Sequence, residues 1–166
     1  MSDTVIRGDD KNEVRFDLSQ LNDFAKTLGK THILKVGIQG AKNARKTGGI
    51  SNAEVGAAHE FGSYIHKVPM RSFLRMPLHS KAPKILAEVA KHALDYLTKP
   101  NGMVGLLKSL GAECVGQISD AFQSRGFGTW AALRPNTVAN KIQNNPQPLI
   151  NTRQLSRSIT AKVEKI

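Results

Sequence analysis

The sequence predicts an α+β fold, in which a small mixed or antiparallel sheet packs against two long helices and extended loops or arms leave this core. Apolar residues recur at helical spacing through two long segments, 86–97 and 107–122. Two other segments, 32–38 and 157–166, are rich in β-forming residues. Strand and helix signals are segregated along the chain and do not alternate, which is typical of α+β domains.

The first elements are a helix, a strand and a loop. Leucine and alanine recur at helical spacing through residues 18–28, which predicts a first amphipathic helix. Residues 32–38 (HILKVGI) alternate in polarity and favour a strand. Residues 39–49 hold three glycines and three basic residues, which predicts a flexible loop after that strand.

The next segment predicts a short capped helix with an extended exit. Ser51 and Glu54 stand at the spacing of a capping box, and Gly62 is suited to end the helix that follows. We expect residues 63–68 to be extended, because Pro69 biases the residue before it away from helical backbone.

The two long helices follow a predicted turn between Pro77 and Pro83. The first covers 86–97 and ends before Pro100, and the second carries its apolar stripe through 107–122. Cys114 lies on the second stripe, where we interpret it as a small core residue and not as a nucleophile.

The remaining chain predicts a long loop and a closing strand. Residues 126–150 are rich in glycine, proline and asparagine, and segments of this length are usually functional or ordered by assembly. Within this segment, Thr137 is placed to cap a short helix that reaches Ile142. Alternation along 157–166 then predicts the last strand.

The length of 166 residues suits one domain, so we expect a single domain over 1–166. It would have a polar N-terminal segment, 1–16, and a long assembly loop at about 126–150. No apolar run approaches the roughly 20 residues that a membrane span needs, and residues 1–16 lack the apolar centre of a signal peptide. A single cysteine excludes an internal disulfide. The sequence therefore predicts a protein that is made in a reducing cytoplasm and does not contact a membrane.

The net charge of +11 is unevenly distributed. Residues 1–24 hold six acidic and three basic residues, whereas residues 121–163 hold no acid and six bases. Such a surface favours a polyanion or an acidic protein as its partner. The alternative interpretation is that the charge serves solubility alone.

The sequence gives little support to catalysis. His59 and Glu60 do not complete a zinc-protease motif, because Ser63 stands where the second histidine belongs and His66 lies off the helical spacing. No serine nucleophile elbow and no phosphate-binding glycine motif is present. We therefore predict that the chain is not an enzyme and has no catalytic residue, metal or cofactor. Aromatic residues make up only 5% of the chain, which is a poor supply for a platform that stacks nucleic-acid bases.

Two segments, found in a fixed order along the chain, match patterns of a known family. The first segment is AEVGAAHEFG followed by VPMRSFLRMPL, similar to a helix ending in E-F-G and then P-x-R-x-F-L-R. The second is TWAALRPNTVANK followed by PLINTRQLSRSITAKV, similar to W-x-x-L-x-x-x-T-x-x-x-K and P-L-x-x-T-x-x-L-x-x-S-I. Together they cover about half of the chain and resemble the virion morphogenesis family, the tail-completion and neck proteins of tailed bacteriophages. One position departs from the family pattern, which usually has glycine where this chain has Arg153.

The resemblance implies a structural subunit of a phage tail or neck, which is made in the host bacterial cytoplasm and ends in the virion. It would form a homo-oligomeric ring, expected to be hexameric, that completes the tail and connects it to the head-side connector. Its neighbours would be the tail-tube or terminator protein and the head–tail connector, with non-specific contact to packaged DNA as a further expectation. The alternatives are a tail-terminator ring protein and a basic, non-specific DNA-binding protein.

The same reasoning selects candidate site residues. Apolar and basic side chains of the two segments are the candidates for subunit interfaces: Phe61, Pro69, Arg71, Phe73, Leu74, Arg75, Trp130, Leu149 and Leu155. Two alternatives stay open, since Phe73 and Leu74 also suit the core of the subunit, and Trp130 is either an anchor for its own loop or an inter-subunit plug. Basic residues of the loop 39–49 are the candidates for a lumen that faces DNA, unless this loop is simply solvated: Lys42, Arg45 and Lys46.

Overall fold

The computed structural model describes residues 5–6, 14–15, 32–45, 49–97 and 102–166. The chain divides into two compact units, one of Met1–Ile33 with Glu164–Ile166 and the other of Leu34–Val163. In the first unit, β1 (Val5–Ile6) pairs antiparallel with β2 (Val14–Arg15). The predicted helix over 18–28 lies outside the described residues, and the prediction of a single domain over 1–166 stays a prediction.

Both predicted strands are confirmed, as β3 (His32–Ile38) and β4 (Ile159–Lys165). They pair with each other as a second two-stranded sheet. A side chain adds to the pairing, because Thr160 Oγ1 donates a hydrogen bond of 3.3 Å to the carbonyl oxygen of Gly37.

The capped helix after β3 is confirmed in detail. Helix α1 covers Asn52–Phe61, and the Ser51 side chain accepts a bond from the Glu54 N–H while the Glu54 carboxylate accepts one from the Ser51 N–H. Gly62 ends the helix with a φ of 77°, a left-handed conformation that glycine adopts without strain.

Four helices occupy the middle of the chain: α2 (Arg75–Ser80), α3 (Ala82–Lys91), α4 (Ala93–Leu97) and α5 (Gly102–Gln123). The second long helix is confirmed as α5, against which α2, α3 and α4 pack. The first long helix is instead divided into α3 and α4 at His92. The turn predicted between Pro77 and Pro83 is confirmed but is short, since it consists of Lys81 between α2 and α3. Pro77 lies within α2, and Pro83 lies in the first turn of α3, where its missing N–H costs nothing.

The segment after α5 is largely irregular but ordered. It contains two short helices, α6 (Pro135–Ala139) and α7 (Gln154–Arg157). The cap predicted at Thr137 is wrong, because α6 begins at Pro135 after Arg134 and places Thr137 inside the helix. Gln147 ties the segment to α5, since its Nε2 donates bonds of 2.6 and 3.0 Å to the carbonyl oxygens of Phe122 and Gln123.

The core of the larger unit joins residues from four parts of the sequence: Phe73, Ile118, Ala121, Phe122, Trp130, Ile150, Leu155 and Ile159. The Phe73 and Phe122 rings lie 5.1 Å apart, and Phe122 meets Trp130 edge-to-face at 5.9 Å. Such aromatic pairs add to the stabilisation that comes from burial alone. The mixed helical and strand composition predicted from the sequence is confirmed at this coarse level.

Candidate protein-docking site

A buried carboxylate organises the chain between α1 and α2. Glu60 is the penultimate residue of α1, and its two oxygens accept four hydrogen bonds. The donors are the Ser72 hydroxyl at 2.5 Å and three backbone N–H groups at 2.8–3.1 Å, those of Phe73, Leu74 and Arg75. These N–H groups lead into α2, where a negative charge also complements the helix dipole. Glu60 therefore fixes the angle at which the chain enters α2.

Arg71 and Trp130 bind the later loop to the same place. The buried Arg71 guanidinium donates bonds of 3.2 and 3.0 Å to the carbonyl oxygen of Ala131, and burial lowers the pKa of this group. Trp130 Nε1 donates a bond of 3.3 Å to the carbonyl oxygen of Ser72. The two long-range contacts place the segment after Trp130 alongside residues 69–72.

Between Glu60 and Arg71 the chain forms a projecting turn, which we call the apolar hairpin and define as residues 61–70. Ser63 and Val68 form an antiparallel bridge in which each backbone N–H donates to the other carbonyl oxygen at 2.9 Å. Lys67 has a φ of 52°, which closes the turn. The extended run predicted over 63–68 is therefore wrong, and a tight turn replaces it.

The apolar hairpin presents large apolar side chains to solvent. Tyr64 and Ile65 at its tip are 99% and 85% exposed, and Phe61 and Met70 at its base are 67% and 58% exposed. The Arg75 guanidinium lies 5.7 Å from the centre of the Phe61 ring. Clustered exposed apolar groups with an adjacent arginine are typical of protein-binding surfaces.

A groove of 1360 Å³ lies beside the apolar hairpin. One wall is the apolar hairpin itself, and the other is the extended segment 131–134 with Thr137 of α6. Arg71 lines the base and, through its bonds to Ala131, sets the position of the second wall. The arrangement offers a concave apolar surface with a rigid floor, which suits the docking of a protein segment.

The structure places four predicted interface residues inside the subunit: Arg71, Phe73, Trp130 and Leu155. The Phe73 side chain is 0% exposed and Trp130 is 8% exposed. The prediction of Phe73 and Trp130 as interface residues is corrected here, because a side chain enclosed by its own core has no surface to offer a neighbour. Arg71 and Leu155 are buried as well, but both line cavities of the subunit. Of the alternatives open for Trp130, the structure shows the anchor of its own loop.

The other predicted interface residues lie nearer the surface. Phe61, Pro69 and Arg75 are exposed and belong to the apolar hairpin or its flank. Leu74 and Leu149 are half-buried and pack against the core. Of the candidates, only the three exposed residues are brought together at one accessible surface.

The basic loop is partly ordered. Residues Gly40–Asn43 form a 3₁₀ turn, and the buried Asn52 side chain donates a 2.8 Å bond to the carbonyl oxygen of Lys42 and accepts one of 3.1 Å from Arg45. Lys42 is exposed, Arg45 is half-buried, and Lys46 lies outside the described residues. The prediction of a flexible loop is wrong for the part around Lys42 and Arg45.

The sequence interpretation missed Tyr64 and Ile65, which are the most exposed large apolar residues in the described part of the chain. Both are β-forming residues, and they suggested a strand that would be half-buried in a sheet. The residue in the sequence that could have indicated a turn is Ser63, whose hydroxyl accepts a 3.3 Å bond from the His66 N–H. Serine in this position favours a turn by bonding to nearby backbone.

Other kinds of site find no support in the described part of the chain. No cluster of three or more His, Cys, Asp or Glu residues there is arranged to hold a metal ion. Across the same residues, no helix combines the length and apolarity that crossing a bilayer requires.

Comparison with known proteins identified no relative of this chain. No protein-family model, no curated protein and no solved structure matches the chain. The resemblance to the virion morphogenesis family therefore continues to depend on the two ordered sequence segments alone.

Proposed function

We propose that the protein is a structural subunit of a bacteriophage tail or neck, which assembles as a hexameric ring, completes the tail and connects it to the head-side connector. The ordered pair of segments around Phe61 and Trp130 supports the phage assignment. The exposed apolar hairpin supports assembly, and it is the structural observation that carries the proposal.

The occupant we assign to the groove is a second copy of this chain. An exposed tip at Tyr64–Ile65 and a concave surface at 131–134 are found on the same subunit. If the tip of each copy enters the groove of the next copy, the copies join head to tail, and such contacts close into a ring if the rotation permits. Burial of Tyr64 and Ile65 in a neighbour would remove their apolar surface from water, at about 25 cal/mol for each Å².

The buried aromatic residues have a supporting role in this proposal. Phe73 and Trp130 hold the segments on both sides of the groove against α5, and Glu60 fixes the base of the apolar hairpin. A rigid support of this kind reduces the ordering cost of association. Assembly would therefore use the apolar hairpin and the groove, and the segment P-M-R-S-F-L-R would support both from beneath.

A second candidate is non-specific DNA binding, favoured by one observation. Residues 121–163 hold six basic residues and no acid, and Arg134, Arg153 and Arg157 of this stretch are exposed. Cationic side chains bind phosphate backbones irrespective of sequence, with an affinity that falls steeply with salt. In a tail or neck ring, such a surface is compatible with contact to packaged DNA.

Phage particles produced without this protein test the proposal. Electron microscopy should show intact heads beside intact tails that are not joined, and normal virions would contradict the proposal. Supplying Ile65→Asp in trans should fail to restore joining. Leu86→Asp is the matched control, because Leu86 is also an exposed apolar residue but lies on α3, outside the groove.

A further inference from the structure

A second cavity, of 260 Å³, collects basic side chains on the other side of Arg71. Its lining includes four cationic residues from separate parts of the chain, together with one histidine: Arg45, Arg71, Lys141, Arg153 and His59. The rest of the lining is apolar or neutral, and no carboxylate of the described residues contributes to it. The cavity is therefore a concentrated positive site.

The cations of this cavity bond to neutral oxygens. Arg71 donates to the carbonyl oxygens of Ala131 and Ala132, Arg45 to the Asn52 side chain, and Lys141 to the carbonyl oxygen of Gln147. None of the four has a carboxylate partner within the described residues. Burial lowers the pKa of Lys141, and the charge of Arg71 lowers it further. Within the described residues, no carboxylate compensates the mutual repulsion of these charges.

His59 adds a buried polar atom that has no partner. Its Nδ1 is inaccessible to solvent and makes no hydrogen bond to the described residues. Buried polar atoms in native structures are nearly always paired, so an unpaired one calls for a ligand or a functional reason. Because this atom is inaccessible to solvent, an anion in the cavity would pair with it when it carries a proton and the imidazole ring has turned toward the cavity.

The backbone at Arg153 is in a conformation that favours glycine. Its φ of 59° and ψ of 11° are left-handed, and Leu149, which also lines the cavity, has a φ of 61°. Non-glycine residues adopt this region rarely, and such residues cluster at functional sites. Glycine would adopt this backbone conformation without strain. The arginine that stands here instead places a positive charge at the cavity.

We propose that this cavity binds the phosphate group of a small molecule, with Arg45, Arg71, Lys141 and Arg153 as its cationic ligands and His59 Nδ1 as a further donor. Arginine side chains bind phosphate oxygens through paired N–H groups, and the excess of positive charge from four cations attracts a doubly charged anion. A volume of 260 Å³ far exceeds the share of one water molecule, about 30 Å³, and leaves room for a substituent on the phosphate. The floor contains the buried Arg71 and Leu155, which favours a small ligand over the backbone of duplex DNA.

Calorimetric titration with inorganic phosphate tests this site independently of any assembly role. Wild-type protein should bind one phosphate per chain, and Arg153→Gly should weaken binding about 10- to 100-fold, the loss expected for one charge-assisted contact. Because glycine relaxes the left-handed backbone, the variant should melt no lower than wild type. Lys141→Met should weaken binding to a similar degree.

The matched control is Arg125→Gly. Arg125 also has a left-handed backbone, with a φ of 56°, but does not line the cavity. Both variants remove one charge and relieve the same conformation, so only Arg153→Gly should lose phosphate. Absence of saturable binding by wild-type protein, or equal losses in the two variants, would overturn the proposal. Binding of duplex DNA that depends on Arg153, without competition from phosphate, would overturn it as well.

Discussion

Ser72 Oγ donates a hydrogen bond of 2.5 Å to Glu60 Oε1 and accepts one of 2.9 Å from the Met76 N–H. One hydroxyl thus links the last turn of α1 to the first turn of α2. Both ends of the apolar hairpin are fixed by this link, because residues 61–70 lie between the two helices. The exposed tip at Tyr64 and Ile65 is therefore carried on a rigid base.

Replacement of Glu60 by glutamine should destabilise the protein by about 2–4 kcal/mol, because a buried network of charge-assisted bonds loses its common acceptor. Urea unfolding measures the change. The control is Glu88→Gln, since the Glu88 side chain is 43% exposed and accepts a bond of 2.6 Å from the exposed Lys91; it should leave the midpoint unchanged. Equal midpoints for both variants would show that the Glu60 bonds contribute no stability.

The packing of Trp130 over Gly126 gives a second prediction. A Cβ added at Gly126, where φ is 67°, would lie 2.3 Å from the indole ring, whereas one at Gly128, where φ is 84°, would meet nothing within 4 Å. Gly128→Ala should cost about 1–2 kcal/mol through its backbone alone, and Gly126→Ala should cost about 2–4 kcal/mol. Thermal unfolding and the emission of Trp130, the only tryptophan, provide the measurements. Similar losses for both variants would contradict the packing.

Alanine substitutions at two phenylalanines of the sequence motif should differ strongly in their effect on the free energy of unfolding. Phe73→Ala should cost about 3–5 kcal/mol, because it leaves a cavity in the core beside Phe122. Phe61→Ala should change the free energy of unfolding by less than about 0.5 kcal/mol, because its ring is largely exposed. Denaturant unfolding compares the two. A stable Phe73→Ala variant would restore the interface interpretation of that residue.

His59 predicts a dependence of stability on pH. Burial, and then the charge of Arg71, lowers the pKa of His59 below its usual range. The unfolded chain therefore takes up this proton at a higher pH than the folded chain, so His59 contributes stability above about pH 6.5 that is lost as the pH falls below it. Between about pH 7 and pH 5, the free energy of unfolding should fall further for wild type than for His59→Gln.

The measurement is urea unfolding in buffers without phosphate. The other charged groups that line the same cavity are Arg45, Arg71, Lys141 and Arg153, and both proteins carry them. Equal pH dependence of the free energy of unfolding in wild type and His59→Gln would contradict the assignment of this effect to His59. The difference between the two proteins isolates this imidazole from the other histidines.

Local signals in the sequence were sufficient for the elements with strong caps or periodicity. Ser51, Glu54 and Gly62 determine the two ends of α1 through contacts within a few residues, and the apolar stripe of α5 is long enough to be unambiguous. The break at His92 was not visible, because the apolar spacing of 86–97 continues across it. The helix around Pro77 was not predicted, because a proline in the first turn of a helix and a proline in a loop look alike in a sequence.

The candidate docking site could not be predicted from the sequence, because it is built from contacts between residues far apart in the chain. Arg71 meets Ala131 across 60 residues, and Glu60 reaches the N–H groups of 73–75 across a turn. Burial of Phe73 follows from its meeting with Phe122 and Trp130, which a linear pattern does not reveal. The pattern of arginine and apolar residues in PMRSFLR therefore suited a surface and a core equally, and tertiary packing decided between them.

Sedimentation velocity of wild type and Ile65→Asp tests most directly the claim that the apolar hairpin joins copies of this chain. Wild type should sediment as a concentration-dependent assembly approaching six copies of 18.1 kDa. Ile65→Asp should sediment as a monomer with an unchanged melting temperature, while Leu86→Asp assembles like wild type. A wild-type protein that stays monomeric at every concentration, or an Ile65→Asp variant that assembles normally, would contradict the account.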